Sequence, residues 1–146
     1  MNRLVLIDGN AVLHRAYHAI PLLTAPDGSV VNAVYGFATM LMRLVTDLRP
    51  THVAVAFDRP APTFRKKLFE GYQSKRPKLD DDLASQIPKV HELVEAFGIP
   101  IFEKDGFEAD DVIGTLVGAS KKEHIDQVII VTGDRDIMQL INSKVK

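Results

Sequence analysis

Three short apolar runs restrict the folds open to this chain: LVLI at 4–7, VAVAF at 53–57 and VIIV at 128–131. Each is rich in β-branched residues and lacks polar alternation, the pattern of strands covered on both faces in a parallel sheet. Helical spacings lie between them. Over 32–48, Val34, Phe37, Ala38, Leu41, Met42, Val45 and Leu48 recur at three- and four-residue steps and predict a helix with one apolar face. A second helical pattern runs through Leu83, Ile87, Val90, Val94 and Phe97 and closes at Gly98, with Pro88 expected to bend or restart it. A weaker strand is expected over 99–102 (IPIF). A third helix is expected to begin near Glu108 and to carry Val112, Leu116 and Val117 inward. Strand and helix alternate, which predicts an α/β sandwich with a mainly parallel central sheet.

With 146 residues, 46% hydrophobic and 25% charged, the chain is long enough to bury one core as a single domain. The absence of cysteine excludes disulfides and thiolate metal sites and fits a reducing compartment. No apolar run reaches membrane-spanning length, and the start MNRLVLID runs into a strand pattern rather than a secretory signal, so a cytoplasmic location without membrane attachment is expected. The formal net charge of -1 hides a marked asymmetry. Residues 59–78 hold seven basic side chains (Arg59, Arg65, Lys66, Lys67, Lys75, Arg76, Lys78) against the single acid Glu70. Residues 103–111 hold five acids against Lys104 alone. Separate metal and phosphate regions need such a distribution.

Acids follow the strands. LVLI ends in Asp8, VAVAF ends in Asp58, and VIIV is followed by Asp134 and Asp136. Ligands of open parallel sheets bind at that carboxyl edge. An aspartate after a strand is also an ordinary helix cap or turn former. Together with Glu108, Asp110 and Asp111 of GFEADDV, however, seven acids on one edge would cost several kcal/mol in repulsion and desolvation unless cations offset them. Hard oxygen donors without cysteine or a histidine partner favour Mg²⁺ or Mn²⁺ over zinc. More than four carboxylates favour two ions, the arrangement used for phosphodiester hydrolysis. Three-residue spacing puts Glu108 and Asp111 on one helix face, with Asp110 aside toward a second ion.

The stretches LIDGNAVLHRAYHA, AFDRPAPTFRKKLFEGYQSKRP, GFEADDVIGTL and VTGDRDIMQLI together resemble the amino-terminal 5′-nuclease domain of bacterial DNA polymerase I, in the flap endonuclease group. The likeness spans about 3–141. It implies a PIN-like three-layer α/β/α sandwich and metal-dependent 5′→3′ hydrolysis of DNA flaps, 5′ ends and RNA primers in replication and repair. Carried over by position, it implies Asp8, Asp58, Glu108, Asp110, Asp111, Asp134 and Asp136 as catalytic ligands of two Mg²⁺ or Mn²⁺ ions. It also implies that 59–82, a charged and proline-rich excursion expected to be mobile, forms an arch or clamp over a single-stranded 5′ end. Arg65, Lys66, Lys75 and Arg76 would hold phosphates there, and Tyr72 or Phe69 would stack on bases. Charge pattern alone leaves an ordinary solvated loop equally open. Where the family often has lysine after the tyrosine, this chain has Gln73, so Lys75 or Arg76 would have to supply the cation.

His14 and His18 lie four apart, yet without an intervening glutamate a structural role is preferred to zinc binding. The resemblance places His14 near an unpaired nucleotide. His52, His91 and His124 read as surface or packing residues, and Asn10 as an N-cap. The family continues beyond Ile141 with a helix–three-turn–helix element that grips duplex DNA, and in longer members with a polymerase. The expectation is therefore an N-terminal part, 1–146, that keeps most ligands but binds duplex poorly and cleaves weakly. A stand-alone PIN-type ribonuclease and a non-catalytic nucleic-acid-binding remnant are the alternatives.

Overall fold

In the computed structural model, which describes residues 1–146, strands β1 (Arg3–Asp8), β2 (His52–Ala56), β3 (Ile101–Phe102) and β4 (Gln127–Val131) form one sheet in the order β3-β2-β1-β4. All pairings are parallel. The strand expected over 99–102 shortens to two residues at the sheet edge. Val5, Leu6 and Ile7 of the central β1 are each 1% exposed, which is why their run shows no polar alternation. Val5 and Ile7 face α1 (Gly9–Ala19), α2 (Asn32–Leu48) and α5 (Ile87–Ala96). Leu6 faces α6 (Ala109–Ser120), a 3-10 turn at Arg135–Leu140 and Val145. The result is the expected three-layer α/β/α sandwich.

The helices differ from expectation in their buried faces. In α2, which packs on α1 and α5, Ala33, Phe37 and Leu41 are buried whereas Met42 and Val45 are exposed. In α6 the inward line is Ala109, Ile113 and Val117; Val112 and Leu116 sit half-buried on the flank. The second helical pattern splits into α4 (Asp81–Ala84) and α5. Pro88 falls in the first turn of α5, where its missing N–H leaves no bond unmade.

A buried polar knot joins the helices of the first layer. Gln86, fully buried, accepts from the amides of Ala33 (2.8 Å) and Val34 (3.1 Å) at the start of α2. Its Nε2 donates to Asn32 Oδ1 (2.9 Å) and to the Asp82 carbonyl (3.0 Å). Asn32 in turn donates to the carbonyls of Tyr17 (3.1 Å) and Ile20 (3.0 Å), closing the end of α1. Every group in the knot is satisfied, as a buried network must be.

The charged excursion contains only α3 (Phe64–Leu68) and the start of α4 as regular structure. It is held down at both ends. Arg59 pairs with Glu103 (3.1 Å) and Asp105 (2.9 Å), and Tyr17 Oη donates to Asp80 (2.7 Å), the residue capping α4.

Candidate active site

The carboxyl ends of β1, β2 and β4 and the amino end of α6 meet at one place. Asp8 closes β1 and caps α1, its Oδ1 accepting the Ala11 amide at 3.1 Å. Thr132 Oγ1 donates to Asp8 Oδ2 (2.9 Å) and accepts the Asp134 amide (3.0 Å), so one hydroxyl ties β1 to the loop after β4. Asp58 is positioned from two sides. Its amide donates to Asn10 Oδ1 (2.8 Å), and its own Oδ1 accepts the amide of Ala109 (2.6 Å), the first residue of α6. A carboxylate is favoured at that positive helix end. Gly9 lets the strand end come close: a Cβ there would lie 2.4 Å from the Phe57 ring.

Asp110, the next residue of α6, is hydrogen-bonded to Asp134 and feels Asp8 as well. Burial, then the charges of Asp134 and Asp8, push its carboxyl up to about 7. Asp8, only 5% exposed, is also raised, first by burial, with Asp58 and Asp134 adding and the Ala11 and Thr132 hydrogen bonds opposing. These four carboxylates form the acidic centre. As they stand, no three acids close around a single point tightly enough to enclose an ion. The donor set nevertheless fits a hard divalent cation: it is all oxygen, and its carboxylates repel one another.

Glu108 and Asp111 share a face, as their three-residue spacing predicts, and that face is engaged elsewhere. The Arg65 guanidinium donates to both oxygens of Asp111 (2.7 and 2.8 Å) and to Glu108. Glu108 also accepts from Tyr72 Oη (3.2 Å) and Gln73 Nε2 (3.1 Å), and Asp111 accepts the Glu108 amide (3.0 Å). Arg65 holds the Asp111 carboxyl below its ordinary value. So Asp110 faces Asp8 and Asp134, while Glu108 and Asp111 face the excursion. Asp136 is exposed in the 3-10 turn, its amide on Asp134 Oδ1 at 2.9 Å.

Among the residues expected to contact nucleic acid, Lys66, Lys75 and Arg76 are exposed and pair with no carboxylate. Arg65 is spoken for by acids, and Tyr72, half-buried with its hydroxyl on Glu108, is not free to stack; Phe69, 67% exposed, is. Gln73 meets Glu108 through a neutral amide, and the cation that reaches the acids nearby is Arg65, not Lys75 or Arg76. His14 is exposed on α1 between the two charge regions: burial, His18 and Arg76 lower its pKa, while Asp58 and Asp8 oppose. His91 packs on Phe57 at 4.2 Å, a structural role as expected. Asn10 is not the cap of α1, which is Asp8; it is the residue that orients Asp58. The bridging role of Thr132 carries no local sequence signal.

An all-parallel α/β/α sandwich with acids gathered at the carboxyl edge, beside a basic excursion, defines a PIN-like domain of the 5′-nuclease type. Residues 3–146 match the family model described as the 5′-3′ exonuclease N-terminal resolvase-like domain, and the chain belongs to that family. It is similar to DNA polymerase I of Caldicellulosiruptor bescii (44% identical over 143 residues, 98% of this chain and 17% of the relative). It is likewise similar to DNA polymerase I of Bacillus subtilis (43% over 142 residues, 97% and 16%). The chain thus spans about a sixth of the length of these relatives. Two solved structures share the fold. T5 5′-exonuclease with divalent zinc bound has a TM-score of 0.76 at 19% identity, over 99% of this chain and 54% of that one. Bacteriophage T5 flap endonuclease in a pseudo-enzyme–product complex with DNA and metal ions has a TM-score of 0.74 at 19% identity, over 99% and 53%. No helix is long and apolar enough to cross a membrane.

Proposed function

We propose that this domain hydrolyses phosphodiester bonds at 5′ ends and flaps of DNA, and in RNA primers, using two divalent ions, Mg²⁺ or Mn²⁺. The observation that carries the reading is the convergence of Asp8, Asp58, Asp110 and Asp134 at one sheet edge, beside exposed Lys66, Lys75 and Arg76. Family membership and the metal and DNA content of the T5 structures support it.

In this reading Asp8, Asp58, Asp110 and Asp134 hold the first ion, with Glu108, Asp111 and Asp136 available to the second. The ions would supply a water ionisable near neutral pH and charge stabilisation for the attacking and leaving oxygens. The protein's own contributions are separate. Thr132 and Asn10 orient Asp8 and Asp58 from outside the pocket. Lys66, Lys75 and Arg76 draw the phosphate backbone toward the acids, which would otherwise repel it. Phe69 offers a stacking surface for an unpaired base, and His14 borders the same opening. In a chain of the relatives' length the domain would work beside a polymerase.

The test is cleavage of end-labelled 5′-flap DNA, single-stranded DNA and an RNA–DNA hybrid with Mg²⁺ or Mn²⁺. Cleavage of flap or 5′-ended DNA that is abolished by EDTA and by Asp110→Asn supports the proposal. Cleavage of RNA alone would favour the stand-alone ribonuclease. Binding without cleavage of any substrate would leave the non-catalytic reading.

A further inference from the structure

The excursion does more than stand beside the acidic centre, because one of its cations is already inside. Arg65 forks onto both oxygens of Asp111 and reaches Glu108, whose side chains are only 23% and 19% exposed. Tyr72 and Gln73, further along the same segment, close on Glu108 from the other side. Phe64 stacks under the guanidinium at 4.5 Å and donates its amide to the Gly106 carbonyl (2.8 Å), so α3 is seated against the loop that leads into α6. Three side chains of the excursion, Arg65, Tyr72 and Gln73, are thus bound to two acids that sit next to the acidic centre. By contrast Lys66, Lys67, Lys75 and Lys78 are exposed and hold nothing.

We propose that Arg65 is an internal counter-ion that latches the excursion shut over Glu108 and Asp111, and that a divalent cation entering beside these acids displaces it and frees the segment. This rests on the metal-dependent reading above. A bidentate guanidinium–carboxylate pair in a half-buried place is strong enough to compete with a cation for the same acid oxygens. Glu108 and Asp111 carry one more negative charge than Arg65 supplies, and a divalent cation would neutralise both. Exchange of one cation for the other also makes opening reciprocal: whatever the cation does to the latch, the latch does to cation affinity by the same factor. The segment would then be released to receive a 5′ strand only once the site is charged with metal.

Reciprocity gives the test. Mn²⁺ binding is measured by calorimetry for the full chain, for Arg65→Gln and for Arg65→Lys, and release of the segment is read as the rate of cleavage at Lys75 and Lys78 by a lysine-specific protease. A latch predicts that Arg65→Gln binds Mn²⁺ about tenfold more tightly. It also predicts that Mn²⁺ speeds cleavage of the wild-type segment, whereas the Gln variant is cut fast with or without the ion. The Lys variant, which keeps charge but loses the fork, falls between. Unchanged or weaker Mn²⁺ binding by Arg65→Gln would mean that Arg65 supports the ligands instead of competing with the ion, and the latch is wrong even though the metal site stands. Mn²⁺ binding that leaves wild-type cleavage unaltered overturns it as well. Absence of Mn²⁺ binding in all three proteins removes the metal reading and the latch together.

Discussion

Replacing Asp110 by asparagine tests the electrostatic picture of the site independently of catalysis. The Asp110 carboxyl is raised from an ordinary 3.8 to about 7, so the folded state keeps a proton that the unfolded chain has released. Folding stability then falls as pH rises between those two values, and above them the full penalty remains. A tenfold displacement of a protonation equilibrium is worth about 1.4 kcal/mol, so the raw difference corresponds to about 4 kcal/mol. Asp110 is only half-buried, so screening reduces this to about half, ~2 kcal/mol. Asparagine keeps the shape and has no charge to hold. Without divalent ions, Asp110→Asn should therefore be more stable than the wild type at pH 8 by ~2 kcal/mol, about 6 °C in Tm. The gain should vanish near pH 4.5, where the wild-type carboxyl is protonated anyway. Thermal melts monitored by far-UV circular dichroism at the two pH values, with EDTA present, measure both. Mg²⁺ should narrow the pH 8 gap, since it relieves the same repulsion in the wild type. If the variant is no more stable than the wild type at pH 8, or gains equally at both pH values, the four carboxylates do not repel one another as described.

Gln86→Leu should destabilise the fold by ~3 kcal/mol in urea titrations, because the Ala33 and Val34 amides and the Asn32 carbonyl lose their buried partner. Gly9→Ala should cost ~2 kcal/mol, since the new Cβ meets the Phe57 ring and the end of β2 has to move away from Asp8. Thr132→Val removes a donor from Asp8 and an acceptor from Asp134; it should lower Mn²⁺ affinity by about tenfold in calorimetric titration.

The strands were legible because a run buried on both faces writes itself into consecutive apolar residues, and the acids because each stands where such a run stops. Asp8, Asp58 and Asp134 need no long-range knowledge to be noticed. Their partners do. Thr132 meets Asp8 across 124 positions, Asn10 meets Asp58 across 48, and Arg65 meets Asp111 across 46. No local period encodes these contacts, so Asn10 reads as a cap and Arg65 as one phosphate-binding cation among several. What the shared face of Glu108 and Asp111 meets has the same origin. Helix spacing says that Glu108 and Asp111 share a face, but not which face looks at the sheet; that is decided by the line of Ala109, Ile113 and Val117 finding the core. The two-residue β3 was overestimated because an edge strand needs few pairing residues once β2 is covered elsewhere.

The threonine that joins β1 to the loop beyond β4 also sets a time order for the emerging polypeptide. A nascent chain that has released its first hundred residues from the ribosome owns Asp8 and Asp58 but has nothing to close the pocket against. Only when Thr132 and Asp134 emerge does the cleft exist at all. Under the proposed function, a nascent chain that stops short of the loop after β4 would lack both Asp134 and the hydroxyl that orients Asp8.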